Sequence, residues 1–428
     1  MSVQETTQSS ENNNKNALVN RLKQHINYGI TRLNHSPPTP SIQPIYRLLA
    51  AMNRKMSLIR TPNMFIPGEI TDTRILDSRT NVQIPTGMDP LRSSLVIWTG
   101  SFNMSAPPQP FDIRDMVHKS RDQYNVCMYA IALHEVTDPD TTSMTTAFVA
   151  WEAALDAYLC DIMGFVKMAV QSIGGTMLAV YIDKTCARYI SDISVSTVAL
   201  GPYGLKNKGA VGIRFKLGTK TFCIVSAHFT AGETTHRTDR MIGIKTAYKQ
   251  RIMDYLAVKD TMTFKTIEGC PNKSILWMKH DPPKMRMEDH SNIIFMGDMN
   301  FRITPNDSLY TFTTREQTDI AGHYTDPKIL RKLRVYDELL YAMTYDNVFT
   351  DFQEGTLTFK PTYKYTADKD IYDAKTARMP AWKNRILWKG SSTELLQYDT
   401  RHTIGSDHKP LHAIIVFRGV LPTSDAMS

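Results

Sequence analysis

The sequence predicts an α/β fold, a two-sheet β-sandwich flanked by helices. Short apolar strand-like runs cluster from about residue 90 onward, one segment of helical length interrupts them, and the regular βαβα alternation of a doubly wound sheet is absent. No internal repeat is present. The 428 residues suit one large domain with an appendage or two or three small ones, and a hydrophobic content of 42% excludes wholesale disorder.

Residues 1–16 are polar and asparagine-rich and read as a disordered tail. Residues 17–88 read as a basic helical extension. Leu18, Leu22 and Ile26 recur at helical spacing, Pro37-Pro38-Thr39-Pro40 interrupts, and Ile45, Leu48, Leu49, Met52, Met56 and Ile59 form a second apolar stripe among Arg47, Arg54 and Lys55. Such a helix docks its stripe on the main domain or lies on an anionic membrane. The main domain is placed at 89–418, followed by a tail at 419–428. Within the domain, strands are expected at 95–98, 126–133, 177–182, 193–200, 210–216, 222–227, 293–296 and 411–417, and a helix at 148–171.

Composition narrows the function. No run of about 18 apolar residues occurs, and the first residues lack an apolar core. The second residue is Ser2, where myristoylation needs glycine, and the chain end carries no prenylation cysteine. The expectation is therefore a cytoplasmic protein with no transmembrane segment and only peripheral contact with a membrane. The five cysteines, with no CxxC pair, point to a reducing compartment rather than a disulfide or zinc framework. The net charge of +8 is concentrated: residues 1–88 hold ten basic and five acidic residues, and residues 360–389 hold eight and three.

The chemistry lies where strands end. Five apolar runs terminate in polar clusters: Ser101-Phe102-Asn103, Leu133-His134-Glu135, Ser226-Ala227-His228, Gly297-Asp298-Met299-Asn300 and Ser406-Asp407-His408. Singly, each is an ordinary cap or turn. A sandwich gathers strand ends on one rim, and that many acids, amides and imidazoles together are too polar for a core. Such a rim points to metal-assisted hydrolysis of a phosphate ester. Mg²⁺ takes oxygen ligands and keeps waters, so Glu135 with Asn103 suffices. Asp298 would orient or deprotonate the attacking water, Asn300 would donate to a phosphate oxygen, and His228 and His408 would meet the developing charge. No cysteine is followed by arginine six positions on, so attack by water is favoured over a thiol nucleophile.

Two motifs then become legible. Gly297-Asp298-Met299-Asn300-Phe301-Arg302-Ile303 resembles GDLNYRI, and Pro380-Ala381-Trp382-Lys383-Asn384-Arg385-Ile386-Leu387 resembles PAWCDRIL. With Asn207-Lys208-Gly209, Pro361-Thr362-Tyr363-Lys364-Tyr365 and Ser406-Asp407-His408-Lys409-Pro410, they make residues 93–418 resemble the catalytic domain of the inositol polyphosphate 5-phosphatases. This family lies within the endonuclease/exonuclease/phosphatase-like Mg²⁺-dependent phosphoesterases, and the type II branch is the nearest in pattern.

The resemblance implies removal of the 5-phosphate from phosphoinositides, with phosphatidylinositol 4,5-bisphosphate the favoured substrate. Phosphatidylinositol 3,4,5-trisphosphate and soluble inositol polyphosphates are further options. It implies Glu135 and Asn103 at the metal, and Asp298, Asn300, His228, Asp407, His408 and Asn384 in catalysis. Tyr363, Lys364, Arg378, Lys375 and Arg385 would hold the head group, with Asn207 and Lys208 near the 1-phosphate.

Several positions depart from the pattern. Asn384 replaces the aspartate that would pair with His408, and Lys383 replaces a cysteine. His134 replaces a glutamine, adding a titratable group near the ion, and Phe102 replaces a tryptophan. Two competing functions stay open. One is a nuclease of the same superfamily, disfavoured by the Tyr363, Lys364 and Arg378 group. The other is a catalytically weak phosphoinositide-binding module, which Asn384 keeps alive.

Overall fold

The computed structural model describes residues 94–106, 114–117, 123–136, 144–200, 208–232, 240–266, 283–303, 327–367, 369–373, 379–401 and 405–420. The predicted tail at 1–16, the helical extension at 17–88 and most of the tail at 419–428 lie outside them.

The apolar runs form two six-stranded sheets. The first comprises Leu95–Asn103 (β1), Met128–His134 (β2), Phe165–Ile173 (β3), Thr176–Asp183 (β4), Thr393–Thr400 (β13) and Leu411–Phe417 (β14), in the order β13-β14-β1-β2-β4-β3. The second comprises Ile190–Ala199 (β5), Gly209–Leu217 (β6), Lys220–His228 (β7), Asn292–Asp298 (β10), Gln353–Glu354 (β11) and Asn384–Lys389 (β12), in the order β11-β12-β10-β7-β6-β5. Thr263–Lys265 (β8) and Lys284–Arg286 (β9) pair separately.

Both faces of the sheets are covered, which explains why the central strands read as nearly continuous apolar runs. Leu95, Ile97, Ala130, Val180, Ile213, Ile224, Ile294 and Ile415 meet between the sheets. Burying one such side chain contributes about 1.5–3 kcal/mol. Helix α1 (Met144–Asp156) packs Trp151 and Leu155 on the outer face of the first sheet, against Tyr129 and Tyr181. Helices α2 (Arg240–Thr261) and α3 (Glu338–Tyr345) cover the second, where Tyr255, Val258, Leu339 and Ala342 join Phe295.

One element differs from the sequence expectation. The helix expected at 148–171 ends early: α1 gives way to a π-helical turn, Ala157–Ile162, and residues 165–173 are strand β3. Gly164 takes φ +77, which a helix does not accommodate, and Gly174 (φ 53) turns the chain into β4. Lys167 in β3 reaches back to Glu152 and Asp156 of α1, both at 2.7 Å. Strands β12 and β13 carry no clear sequence signal of their own, β12 starting within the Pro380–Leu387 motif and ending at Lys389.

Candidate active site

Strand direction brings the polar ends together. β1 and β2 are parallel, so Asn103 and His134 finish side by side. β7 and β10 are parallel, so His228 and Asp298 do the same in the other sheet. β12 runs antiparallel to β10 and begins at this edge, placing Asn384 opposite Asp298. β14 runs antiparallel to β1, so the segment leading into it delivers His408 to the same rim. Gly297 permits the close approach before Asp298. Its φ is +151, and a Cβ there would lie 1.9 Å from the Ala227 carbonyl oxygen. Glu135 (φ 50) and Asn300 (φ 55) both sit in the left-handed region, a sparsely populated conformation for such residues.

The groups interlock across the two sheets. Asn103 Nδ2 donates to Asp298 Oδ2 at 2.8 Å, while Asn103 Oδ1 accepts from the Ser105 N–H at 3.0 Å. Asp298 Oδ1 accepts from the Asn300 N–H at 3.1 Å. Asn300 Nδ2 donates to the Phe229 carbonyl, and its Oδ1 accepts from Arg302 at 3.2 Å. His228 Nε2 lies 3.5 Å from both Asp298 Oδ2 and Glu135 Oε1, and His408 Nε2 lies 3.9 Å from Asp298 Oδ2. Asp407 accepts from the Ser105 hydroxyl and lies 4.0 Å from Lys364 Nζ.

Burial sets the charges. It opposes ionisation of Asp298, but the imidazoles of His408 and His228 and the ammoniums of Lys383 and Lys208 outweigh it, holding this carboxyl well below the usual range. Burial pushes His408 down to about 4 against the pull of Asp298, and depresses His228 further. The rim at neutral pH therefore combines one fixed carboxylate with neutral imidazoles.

The donors available to a metal are a carboxylate and an amide oxygen. The Glu135 side chain is 43% exposed, and its nearest cation is Lys208 Nζ at 3.6 Å, beyond hydrogen-bond length. Asn103 Oδ1 keeps a second lone pair beside its bond to Ser105. This hard-oxygen pair fits Mg²⁺ or Ca²⁺ with retained waters. No group of three or more His, Cys, Asp or Glu with metal-binding geometry occurs among the described residues.

Several expected roles need correction. Arg385 does not face the site. It is fully buried, donating to Asp337 at 2.8 and 3.0 Å and to both carboxylate oxygens of Glu354 at 2.6 Å, because consecutive strand residues alternate faces and Arg385 follows Asn384 in β12. Lys208 stands inside the cluster, 2.5 Å from His228 Nε2. Tyr363 is 3% exposed, its ring enclosed by Lys383, Arg302 and His408 rather than laid open to a head group. Lys364 remains at the surface of the site, 3.5 Å from Asp373.

The amide of Asn384 does not hold His408. Its Nδ2 donates to the Lys409 carbonyl at 3.2 Å, leaving Asn384 Oδ1 and His408 Nδ1 buried with no hydrogen-bond partner among the described residues. His134 is a buried link to Ser226 at 3.2 Å, and burial pushes it down to about 4, so it adds no charge beside Glu135 at neutral pH. Asn207, Lys375 and Arg378 lie outside the described residues. Ser105 was missed, since nothing in its sequence context marks it. Arg302 was missed as a support for Asn300, although it lies inside the Gly297–Ile303 motif.

Comparison with known proteins places the fold in a family. The profile of the Endonuclease/Exonuclease/phosphatase family 2 matches residues 100–414. A mouse type II inositol 1,4,5-trisphosphate 5-phosphatase is 30% identical over 269 residues, covering 62% of this chain and 24% of that protein. The Saccharomyces cerevisiae polyphosphatidylinositol phosphatase INP53 is 26% identical over 329 residues, covering 75% and 26%. The chain thus spans about a quarter of the length of these relatives. An Arabidopsis thaliana type IV inositol polyphosphate 5-phosphatase 9 is 32% identical over 249 residues, covering 56% and 52%.

Among solved structures, the synaptojanin 5-phosphatase domain bound to inositol (1,4)-bisphosphate and calcium shares the fold, with a TM-score of 0.60 at 23% identity, covering 76% of this chain and 84% of that one. A Cimex nitrophorin also shares it, with a TM-score of 0.54 at 18% identity, covering 76% and 98%. With a family profile spanning almost the whole sandwich, the chain belongs to the endonuclease/exonuclease/phosphatase family, and its curated relatives are inositol polyphosphate 5-phosphatases.

Proposed function

We propose that the chain hydrolyses the 5-phosphate of phosphoinositides in a Mg²⁺-dependent reaction, with phosphatidylinositol 4,5-bisphosphate the preferred substrate. The observation that carries this reading is the meeting of Glu135, Asn103, His228, Asp298 and His408 on one rim, each from a different strand end. Glu135 and Asn103 would hold the metal. When bound, Mg²⁺ supplies Lewis-acid neutralisation of the phosphate oxygens.

Asp298, held ionised, accepts a hydrogen bond from the attacking water and points its oxygen at phosphorus. So acidic a carboxyl is a weak base, but phosphoryl transfer through a loose transition state asks for positioning more than proton abstraction. Asn300 is pinned by Arg302 and the Phe229 carbonyl, which leaves its second Nδ2 hydrogen for a phosphate oxygen. The neutral imidazole of His408 donates an N–H to the charge that develops, and Lys208 adds its ammonium beside His228. As the water oxygen bonds to phosphorus, the bond to the inositol 5-oxygen breaks, and the proton the water loses passes through solvent to that oxygen, giving the inositol hydroxyl and free phosphate. In this reading Lys364, 4.0 Å from Asp407, would meet a neighbouring ring phosphate. The basic extension at 17–88 would bring the protein to an anionic, cytoplasm-facing membrane surface. No helix among the described residues is long and apolar enough to cross a bilayer.

The test is phosphate release from the bisphosphate lipid with and without Mg²⁺, alongside Glu135→Ala. Metal-dependent release lost in the variant supports the reading. Plasmid nicking without lipid hydrolysis would replace it with the nuclease. Lipid binding without any release would favour the weak binding module, which the two unpartnered atoms of Asn384 and His408 make the stronger rival.

A further inference from the structure

Four of the five cysteines lie among the described residues, and all four are free thiols. The hydrolysis proposed above uses none of them. Burial pushes the Cys223 and Cys160 thiols up, away from reaction at neutral pH. Cys127 and Cys186 differ, because they meet.

Local structure brings them together. Cys127 precedes β2, and its carbonyl accepts the Asp183 N–H at 2.8 Å, so the entry to β2 lies beside the exit of β4. The Asp183 carboxylate then accepts the Thr185 N–H at 2.8 Å and caps a helical turn, Lys184–Ala187. That turn carries Cys186 back toward the start of β2, where its thiol hydrogen-bonds to the Cys127 thiol.

The pair is asymmetric. Cys186 is 7% exposed, whereas Cys127 is partly open to solvent. The hydrogen bond from Cys186 favours the Cys127 thiolate, and the Val96 backbone adds to this. Together they outweigh burial and lower the Cys127 thiol to about 7, while Cys186 is pushed up. One sulfur is thus accessible and ionisable, and a second is held against it and shielded. A nucleophilic thiol and a resolving thiol need this division.

We propose that Cys127 and Cys186 are a peroxide-sensitive pair that closes reversibly to a disulfide. The Cys127 thiolate attacks one oxygen of a hydroperoxide, and an S–O bond forms as the O–O bond breaks. For hydrogen peroxide, hydroxide leaves and takes up the proton that Cys127 gave to solvent, forming the first water. The Cys186 sulfur then displaces the oxygen on Cys127, and the Cys186 proton departs with it as the second water. Two thiols lose two electrons, and one peroxide gains them. The bond would join the start of β2 to the turn after β4. His134 ends β2 at the catalytic rim, so the linkage fastens the far end of the first sheet. A reducing compartment returns the pair to thiols by exchange.

The full chain, reduced and then freed of reductant, is treated with hydrogen peroxide, alkylated in denaturant and mapped by tandem mass spectrometry. The expected product is two hydrogens lighter, linked between 127 and 186, and returned to two alkylatable thiols by dithiothreitol. Cys127→Ser should abolish the linkage. Cys186→Ala should slow alkylation of Cys127 by iodoacetamide at neutral pH about tenfold and leave peroxide-treated Cys127 as a sulfinic or sulfonic acid. A folded parent whose two thiols both stay alkylatable overturns the proposal, as does linkage of either to Cys160, Cys223 or Cys270. The parent alone gives that reading, whether or not a variant folds, and it is independent of lipid hydrolysis.

Discussion

Asn103 Nδ2 donates to Asp298 Oδ2 at 2.8 Å, joining the end of β1 in one sheet to the end of β10 in the other across 195 residues of sequence. This bond aims the carboxylate and fixes the amide so that its oxygen, not its nitrogen, faces Ser105 and the proposed metal position. Asn103→Ala removes both effects. The expected outcome is a loss of about 10²-fold or more in kcat, with a raised Mg²⁺ requirement, measured by phosphate release over a Mg²⁺ titration. A variant with the parent's metal dependence would show that Asn103 only supports Asp298.

Asn384→Asp should raise activity. Asn384 Oδ1 and His408 Nδ1 are both buried and unpartnered. A carboxylate at 384 would fix the imidazole tautomer and favour its protonated form, moving His408 up from about 4. A misoriented imidazole costs about 10⁴ in the serine protease triad, so a gain of about tenfold or more in kcat is a modest expectation. The pH profile of kcat/KM should shift with it. Equal rates and superimposable profiles would exclude this account.

Arg385→Met should cost stability and spare substrate affinity. It leaves Asp337 and Glu354 buried without their cation, a loss of about 3–5 kcal/mol. Urea unfolding reads the first effect and KM on the folded fraction reads the second. A KM rise without a change in stability would return Arg385 to the substrate.

The buried histidines predict acid sensitivity. His134, His290, His408 and His412 are each pushed down from 6.5 to about 4, with burial the largest cause. The unfolded chain binds protons at these sites between those values and the folded chain does not. Stability is therefore full above about pH 6.5 and falls as pH drops toward 4. At about pH 5.5 each group removes roughly 1 kcal/mol. Chemical unfolding at neutral pH and at about pH 5.5 should differ by several kcal/mol, and coincident curves would refute the assignment.

Gly297→Ala is expected to destabilise by more than about 4 kcal/mol, because the added methyl would lie 1.9 Å from the Ala227 carbonyl oxygen at a φ of +151. Thermal unfolding gives the measure.

The sequence by itself determined the sandwich and most of its rim. Continuous apolar runs mark strands buried on both faces, and the polar residues that end those runs must lie at an edge, so Glu135, His228, Asp298 and His408 were legible from their neighbours alone. The tertiary structure alone decided what each side chain faces. Arg385 sits beside Asn384 in the chain, yet alternation along β12 sends it to Asp337 and Glu354 while Asn384 stands opposite Asp298. Lys208 reads as a turn residue until β6 and β7 pair and bring it to His228. β3 reads as helix because Val166, Val170 and their neighbours fit either period, and only the glycine turns and the pairing with β4 settle it. Periodicity reports which residues are buried, whereas the partner that buries them can lie at the other end of the domain, as Phe417 does from Leu95.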